Sequence, residues 1–140
     1  MKTQSGFTLI EIMVVVVIIG ILGALVVPNF LGQADETRIT AARSDISSIG
    51  NALDLYRLHN HNYPSTDQGL EALVNKPSGY PEAKNWQTDG YLKKVPNDPW
   101  GNPYQYISPG ANGAYDLLSL GADNREGGEG ANADIKSWEI

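Results

Sequence analysis

Cysteine is absent from the 140 residues, which removes disulfides, zinc–thiolate sites and a thiol nucleophile whatever the compartment. A domain of this size outside the cytoplasm would need another staple. Basic side chains are few and scattered: 10 Lys and Arg stand against 16 Asp and Glu, for a net charge of -6. Phosphate binding needs clustered Lys and Arg, so nucleic acid is disfavoured as a partner. The chain also lacks a nucleophile and base at workable spacing, a phosphate-binding loop and a cofactor motif, and it reads as a non-enzyme. Its length allows one modest core and one extended element, and is too short for two independent globular domains. Glycine and proline concentrate after position 60, which predicts a loop-rich second half.

Polar side chains are missing from Ile12 to Val27, and Phe7, Leu9 and Ile10 extend the apolar stretch to about 21 residues. At ~1.5 Å per helical residue this spans roughly 31 Å, enough to cross a hydrocarbon core. An ordinary secretory signal is the alternative. The stretch is longer than a usual signal core, and Val26-Val27-Pro28-Asn29-Phe30 follows it with no Ala-x-Ala cleavage pattern. Glu11 stands out, because an ionised carboxylate in hydrocarbon costs several kcal/mol and is seldom placed there without a partner. It is either a carboxylate kept wet near the headgroups or one with a purpose. Pro28 removes a backbone donor and clashes with the preceding turn. It marks either the end of the span or a kink or local melting between Gly23 and Pro28.

Beyond the span, Ile39, Ala42, Ile46, Ile49, Leu53 and Tyr56 recur three and four apart, while Asp35, Glu36, Arg38, Arg43, Asp45 and Asp54 fall elsewhere. That pattern predicts one amphipathic helix continuing to about His59, with its stripe covered by later strands. His59 and His61 form a His-x-His pair, but no nearby carboxylate or thiolate completes a site, and a solvated helix terminus is the simpler expectation. Ser65-Thr66-Asp67-Gln68 matches a capping box and predicts a short second helix from about Thr66 to Asn75. The proline-punctuated stretch Val95 to Tyr104 reads as a pair of rigid turns around a buried Trp100. Tyr104 to Ile107 and Tyr115 to Leu120 are strand-like and joined as a hairpin across Pro109 to Gly113, with a third strand expected from Lys136 to Ile140.

Gly121 to Asp134 gathers Asp123, Glu126, Glu129 and Asp134 among glycines and asparagines. Composition leaves two readings open. The segment is a flexible solvated loop, or a set of oxygen ligands suited to calcium, which accepts six to eight oxygens in irregular geometry. The spacing is not that of an EF-hand.

Two motifs carry a family resemblance. Gly6-Phe7-Thr8-Leu9-Ile10-Glu11, preceded by a polar leader from Met1 to Ser5 that carries Lys2, resembles the class III signal of type IV pilins and pseudopilins. Asp98-Pro99-Trp100-Gly101-Asn102-Pro103-Tyr104 resembles the signature of the major pseudopilins of type II secretion, and together the likeness covers nearly the whole chain. The resemblance implies an α+β pilin fold, with a long N-terminal helical spine packed against a small antiparallel β-sheet bearing a calcium-type loop. Residues 1–6 would be a cleaved leader, residues 7–30 a transmembrane and assembly helix, and residues 31–140 a periplasmic head that includes the amphipathic half of the spine. Cleavage would fall between Gly6 and Phe7, Phe7 would be N-methylated, and Glu11 would pair with the terminal amine of a neighbouring subunit. A structural calcium would be held by Asp123 and Asp134 with the carbonyls of Leu120 and Arg125. Some relatives carry two adjacent aspartates where this chain has Ala133-Asp134, so Glu129 or Asn132 is expected to substitute.

The implied function is that of the major subunit of a secretion pseudopilus. It would sit as a single-pass inner-membrane protein with a periplasmic head, then polymerise to drive or gate export across the outer membrane. Implied partners are further copies of the chain, minor pseudopilins, the prepilin peptidase and the inner-membrane assembly platform. The alternative is a major type IV pilin serving adhesion, motility or DNA uptake. That family usually closes its C-terminal region with a cysteine pair, which this chain lacks. A membrane-tethered periplasmic ligand-binding domain that never polymerises is a rival of another class.

Overall fold

The computed structural model describes residues 1 and 4–140, with the side chains of 27–29 outside the described set. Lys2, part of the expected leader, also lies outside it. In chain order the elements are a helix α1 (Leu9–Asn60), a 3-10 turn (Leu70–Leu73), strands β1 (Gln105–Ile107) and β2 (Asp116–Ser119), a 3-10 turn (Gly130–Asn132), strand β3 (Ile135–Lys136) and a last 3-10 turn (Ser137–Glu139). The chain divides into two compact units, Met1–Asp35 and Glu36–Ile140, and α1 contributes to both.

The helix starts where its sequence provides a cap. Thr8 precedes the first helical residue, and its Oγ1 accepts the Glu11 N–H at 3.3 Å while Glu11 Oε2 accepts the Thr8 N–H at 2.8 Å. Two orphan donors are satisfied reciprocally, which is the capping-box arrangement. The helix is continuous across Gly23 to Pro28, so the local melting considered there does not occur. The kink considered at Pro28 falls on side chains outside the described residues. At the other end His61 takes φ 67° and donates its N–H to the Arg57 carbonyl at 2.7 Å. A left-handed residue of this kind closes a helix by satisfying a carbonyl of its last turn.

In the second unit the expected stripe is the core. Ala42, Ile46, Ile49, Leu53 and Tyr56 are buried, with Ile39 packed at their edge. They form one cluster with Leu70, Ala72 and Leu73 of the 3-10 turn, with Tyr104, Tyr106 and Leu117 from the hairpin, and with Ile135. The sheet has the order β1-β2-β3 and is antiparallel throughout, with Tyr106 opposite Leu117 and Ser119 opposite Ile135.

Three local expectations change. The capping box at Ser65 forms, since Gln68 Oε1 accepts the Ser65 N–H at 3.0 Å and Ser65 Oγ accepts the Gln68 N–H at 3.2 Å. No α-helix follows, because Gly69 sits at φ 63° and turns the chain out of the right-handed region, leaving only the 3-10 turn Leu70–Leu73. The third strand is Ile135–Lys136, and the residues expected to extend it, Ser137–Glu139, curl into a 3-10 turn. Trp100 is half-buried, and the fully buried group of its turn is Asp98.

The irregular segment after α1 is tied down by polar side chains. Asn60 is buried, donates to the Tyr56 carbonyl and the Tyr91 hydroxyl, and accepts the Asn85 N–H. Trp86 Nε1 donates to the Ala72 carbonyl at 2.8 Å, and Tyr106 donates to the Pro64 carbonyl at 2.7 Å. Loops of this kind stay ordered because their polar groups find partners inside the protein.

Core burial predicts unequal responses along α1. Leu53 is 0% exposed and Leu58 is 71% exposed. Leu53→Ala is expected to lower the stability of the head by about 3 kcal/mol and Leu58→Ala by less than about 0.5 kcal/mol, measured by thermal or urea denaturation.

Candidate functional site

Two regions carry candidate function, one in each unit. The first is the start of α1. The Gly6–Phe7 bond lies in irregular backbone ahead of the helix, Gly6 has no neighbouring atom where a Cβ would stand, and Phe7 is 84% exposed. A peptidase can reach a bond in such a segment, since it need not unwind a helix. From Leu9 to Val26 every large apolar side chain is exposed, and the helix holds an 18-residue window of mean hydropathy 3.0. Among the described residues one helix is long and apolar enough to cross a membrane.

Glu11 is not alone at this end. Besides the Thr8 N–H, its Oε2 accepts the Thr8 hydroxyl at 2.9 Å. Thr8 was not among the residues singled out from the sequence. The signal was available in the spacing Thr8-x-x-Glu11, and the charge of Glu11 drew attention away from its helix-capping role.

The second region is the loop from Gly121 to Asp134. It is closed at its neck: Gly121 takes φ 71°, and a Cβ there would lie 2.8 Å from the Ala133 carbonyl oxygen. Ala122 donates its N–H to the Ala131 carbonyl at 2.9 Å. Within the loop, Asp123 is exposed and its Oδ1 accepts the Arg125 N–H at 3.2 Å. Asp134 Oδ2 accepts the Gly127 N–H at 3.0 Å, whereas Asp134 Oδ1 is buried with no hydrogen-bond partner among the described residues. Glu129 and Asn132 are exposed, and the Glu129 carbonyl accepts the Asn132 N–H at 3.1 Å. Leu120 lies at the exit of β2, half-buried.

Among the described residues no three His, Cys, Asp or Glu side chains gather as a metal-binding group. An ion in this loop would therefore need backbone carbonyls as well as carboxylates, which suits calcium and not zinc. The orphaned oxygen of Asp134 fits that requirement, because a buried carboxylate oxygen left unpaired costs free energy that a bound cation would offset. Of the His59/His61 pair, His59 Nδ1 lies 3.1 Å from the Tyr91 hydroxyl and its ring packs on Tyr91.

Burial raises the Tyr104 hydroxyl far above the ordinary phenol value, helped by the hydrogen bond it donates to Asp45 at 2.9 Å and by the negative charges of Asp45 and Asp98. Burial likewise raises Tyr106.

An apolar helix with a capped acid at its start, followed by an amphipathic continuation under a small antiparallel sheet, defines a pilin-like subunit. Comparison with known proteins narrows the class. The family profile for type II secretion system protein G matches residues 29–138, and the prokaryotic N-terminal methylation motif matches residues 1–27. The chain is 62% identical over 138 residues to the type II secretion system core protein G of Pseudomonas aeruginosa, covering 99% of this chain and 97% of that one. It is 56% identical over 140 residues to the protein of the same name from Vibrio cholerae, covering 100% and 95%. The crystal structure of the major pseudopilin from the type 2 secretion system of enterohaemorrhagic Escherichia coli matches with a TM-score of 0.71 at 42% identity, covering 82% of this chain and 98% of that one. The chain belongs to the type II secretion system protein G family. That membership favours the secretion reading over the type IV pilin alternative.

The buried phenols predict an alkaline limit to stability. A phenol in the unfolded chain ionises near pH 10, whereas the folded head holds Tyr104 and Tyr106 neutral to higher pH. Their contribution is fully present below about pH 10 and is lost as pH rises toward the folded values. The melting temperature should therefore fall above about pH 10, and Tyr104→Phe should make the fall shallower in a series of thermal melts.

Proposed function

We propose that this chain is the major subunit of a type II secretion pseudopilus, and that it polymerises through the apolar part of α1. The observation that carries the proposal is the exposed apolar surface from Phe7 to Val26, with Phe30 and Leu31 also exposed, in a chain whose head has the fold of a major pseudopilin. Such a surface needs lipid or other copies of itself as cover. Before assembly the bilayer provides it, with the head on the periplasmic side of the inner membrane. In the fibre, neighbouring helices provide it.

Processing precedes assembly. The prepilin peptidase would cut between Gly6 and Phe7, and the new amine at Phe7 would be methylated, in keeping with the match to the methylation motif over residues 1–27. Glu11 would then meet the amine of an adjoining copy, since a carboxylate costly by itself in an apolar bundle becomes acceptable beside an ammonium. Growth of the fibre on the assembly platform, together with minor pseudopilins, would push or gate folded proteins towards an outer-membrane channel.

In the head, calcium is the proposed ligand of the loop. Asp123 and Asp134 would hold it together with the carbonyls of Leu120 and Arg125, with Glu129 or Asn132 completing the shell. Support comes from the partnerless Asp134 Oδ1 and from a loop neck too tight for any residue but Gly121. Bound calcium supplies positive charge that cancels the repulsion between the loop carboxylates and links the two ends of a segment no disulfide constrains.

Two outcomes test this reading. A chelator should lower the melting temperature of the head by roughly 10 °C from its value at calcium a hundredfold above Kd, and should expose the loop to proteolysis; an unchanged melt would remove calcium from the account. Glu11→Ala should leave membrane insertion and cleavage intact, as read by mass spectrometry of the mature N-terminus, while abolishing fibres. Wild-type fibre yield from that variant would refute the pairing.

A further inference from the structure

The Asp-Pro-Trp-Gly stretch has no role yet beyond its turn, and its aspartate is buried. Asp98 is 4% exposed, and Ser119, its partner 21 residues later, is 0% exposed. Asp98 Oδ1 accepts the N–H groups of Trp100 at 3.1 Å and Asn102 at 2.8 Å, which closes the turn. Asp98 Oδ2 accepts the Ser119 hydroxyl at 2.8 Å. Ser119 Oγ in turn accepts the Gly121 N–H at 3.2 Å. We infer that Asp98 is a positioning residue for calcium, acting through Ser119 to hold the neck of the acidic loop in its ligand-ready form. The inference rests on the calcium reading given above.

Proton bookkeeping makes the chain of bonds directional. A serine hydroxyl has a single proton, and here it goes to the carboxylate, so its lone pair is what remains for the Gly121 N–H. Gly121 is where direction matters: it sits at φ 71°, its carbonyl receives the Asn124 N–H at 3.4 Å, and the turn between them holds Asp123. Leu120, whose carbonyl is a proposed ligand, lies between Ser119 and Gly121. Both residues flanking Leu120 are thereby fixed by one buried carboxylate. All three donors to Asp98 are uncharged, so its burial carries a desolvation cost with no ion pair among these bonds to offset it. An asparagine at 98 could close the same turn through its carbonyl oxygen. Its amide would present a donor to Ser119 where a carboxylate presents an acceptor, leaving the serine proton without its partner.

The experiment is calcium titration calorimetry on the full chain in detergent, with Asp98→Asn, Ser119→Ala and the double variant, and with Leu73→Ala as a core control in the 3-10 turn Leu70–Leu73, which contributes no proposed ligand. Asp98→Asn and Ser119→Ala should each weaken calcium binding about tenfold or more, and the double variant should be little weaker than either alone. Leu73→Ala should lower Tm while leaving the affinity within about twofold. Wild-type affinity in Ser119→Ala, which removes a single oxygen and decides the matter where Asp98→Asn does not fold, overturns the inference and leaves the calcium reading standing. An equal loss of affinity in Leu73→Ala also overturns it, because the effect would then be general destabilisation. No calcium binding by the wild-type chain sinks the calcium reading itself and this inference with it.

Discussion

The head depends on one contact, the apolar stripe of α1 from Ala42 to Tyr56 against the hairpin and the turns that cover it. Its three strands are 3, 4 and 2 residues long, too short to stand as an independent sheet. No disulfide closes any of the loops. The helix therefore provides the surface on which everything else is laid, and side-chain hydrogen bonds do the fastening that a longer sheet would otherwise do. Asn60 accepts the Asn85 N–H and Tyr106 donates to the Pro64 carbonyl, both partners lying in segments with no regular structure of their own, and Trp86, from such a segment, donates to the Ala72 carbonyl of the 3-10 turn.

The same helix serves two solvents. Its first part is apolar on every side, with no large apolar residue from Leu9 to Val26 withdrawn from the surface, and its later part is apolar along a single stripe. Glu11 belongs to the first part, and the proposed pairing would give it a second kind of partner. Within the chain it caps the helix with Thr8; between chains it would meet a terminal amine. Capping keeps the carboxylate hydrogen-bonded before assembly without neutralising it, so a cation still gains by approaching.

Much of this was legible. The 3.6-residue recurrence from Ile39 to Tyr56 named the core face of α1 because burial on one side of a helix leaves a periodic trace. The hairpin was visible in its strand-like runs and in the turn residues between Tyr104 and Tyr115. The second helix was misread although its capping box was real, because a cap reports how a turn begins and says nothing of a glycine at φ 63° that ends it. In the Trp100 turn, size pointed to the tryptophan as the anchor, whereas the buried group is the Asp98 carboxylate. A charged residue in a turn ordinarily signals exposure, and only its three donors reverse that expectation.

Residue order by itself determined the apolar helix, the place of its acid, the stripe beneath the head and the family, because each is written in neighbouring residues or in a fixed local spacing. Tertiary structure decided which polar side chains are buried. Asp98 finds Ser119 across 21 positions, Tyr104 finds Asp45 across 59, and one oxygen of Asp134 has no hydrogen-bond partner among the described residues. Partners that far apart leave no periodic trace in the chain. Whether a polar atom is satisfied is settled only when folding excludes water from around it.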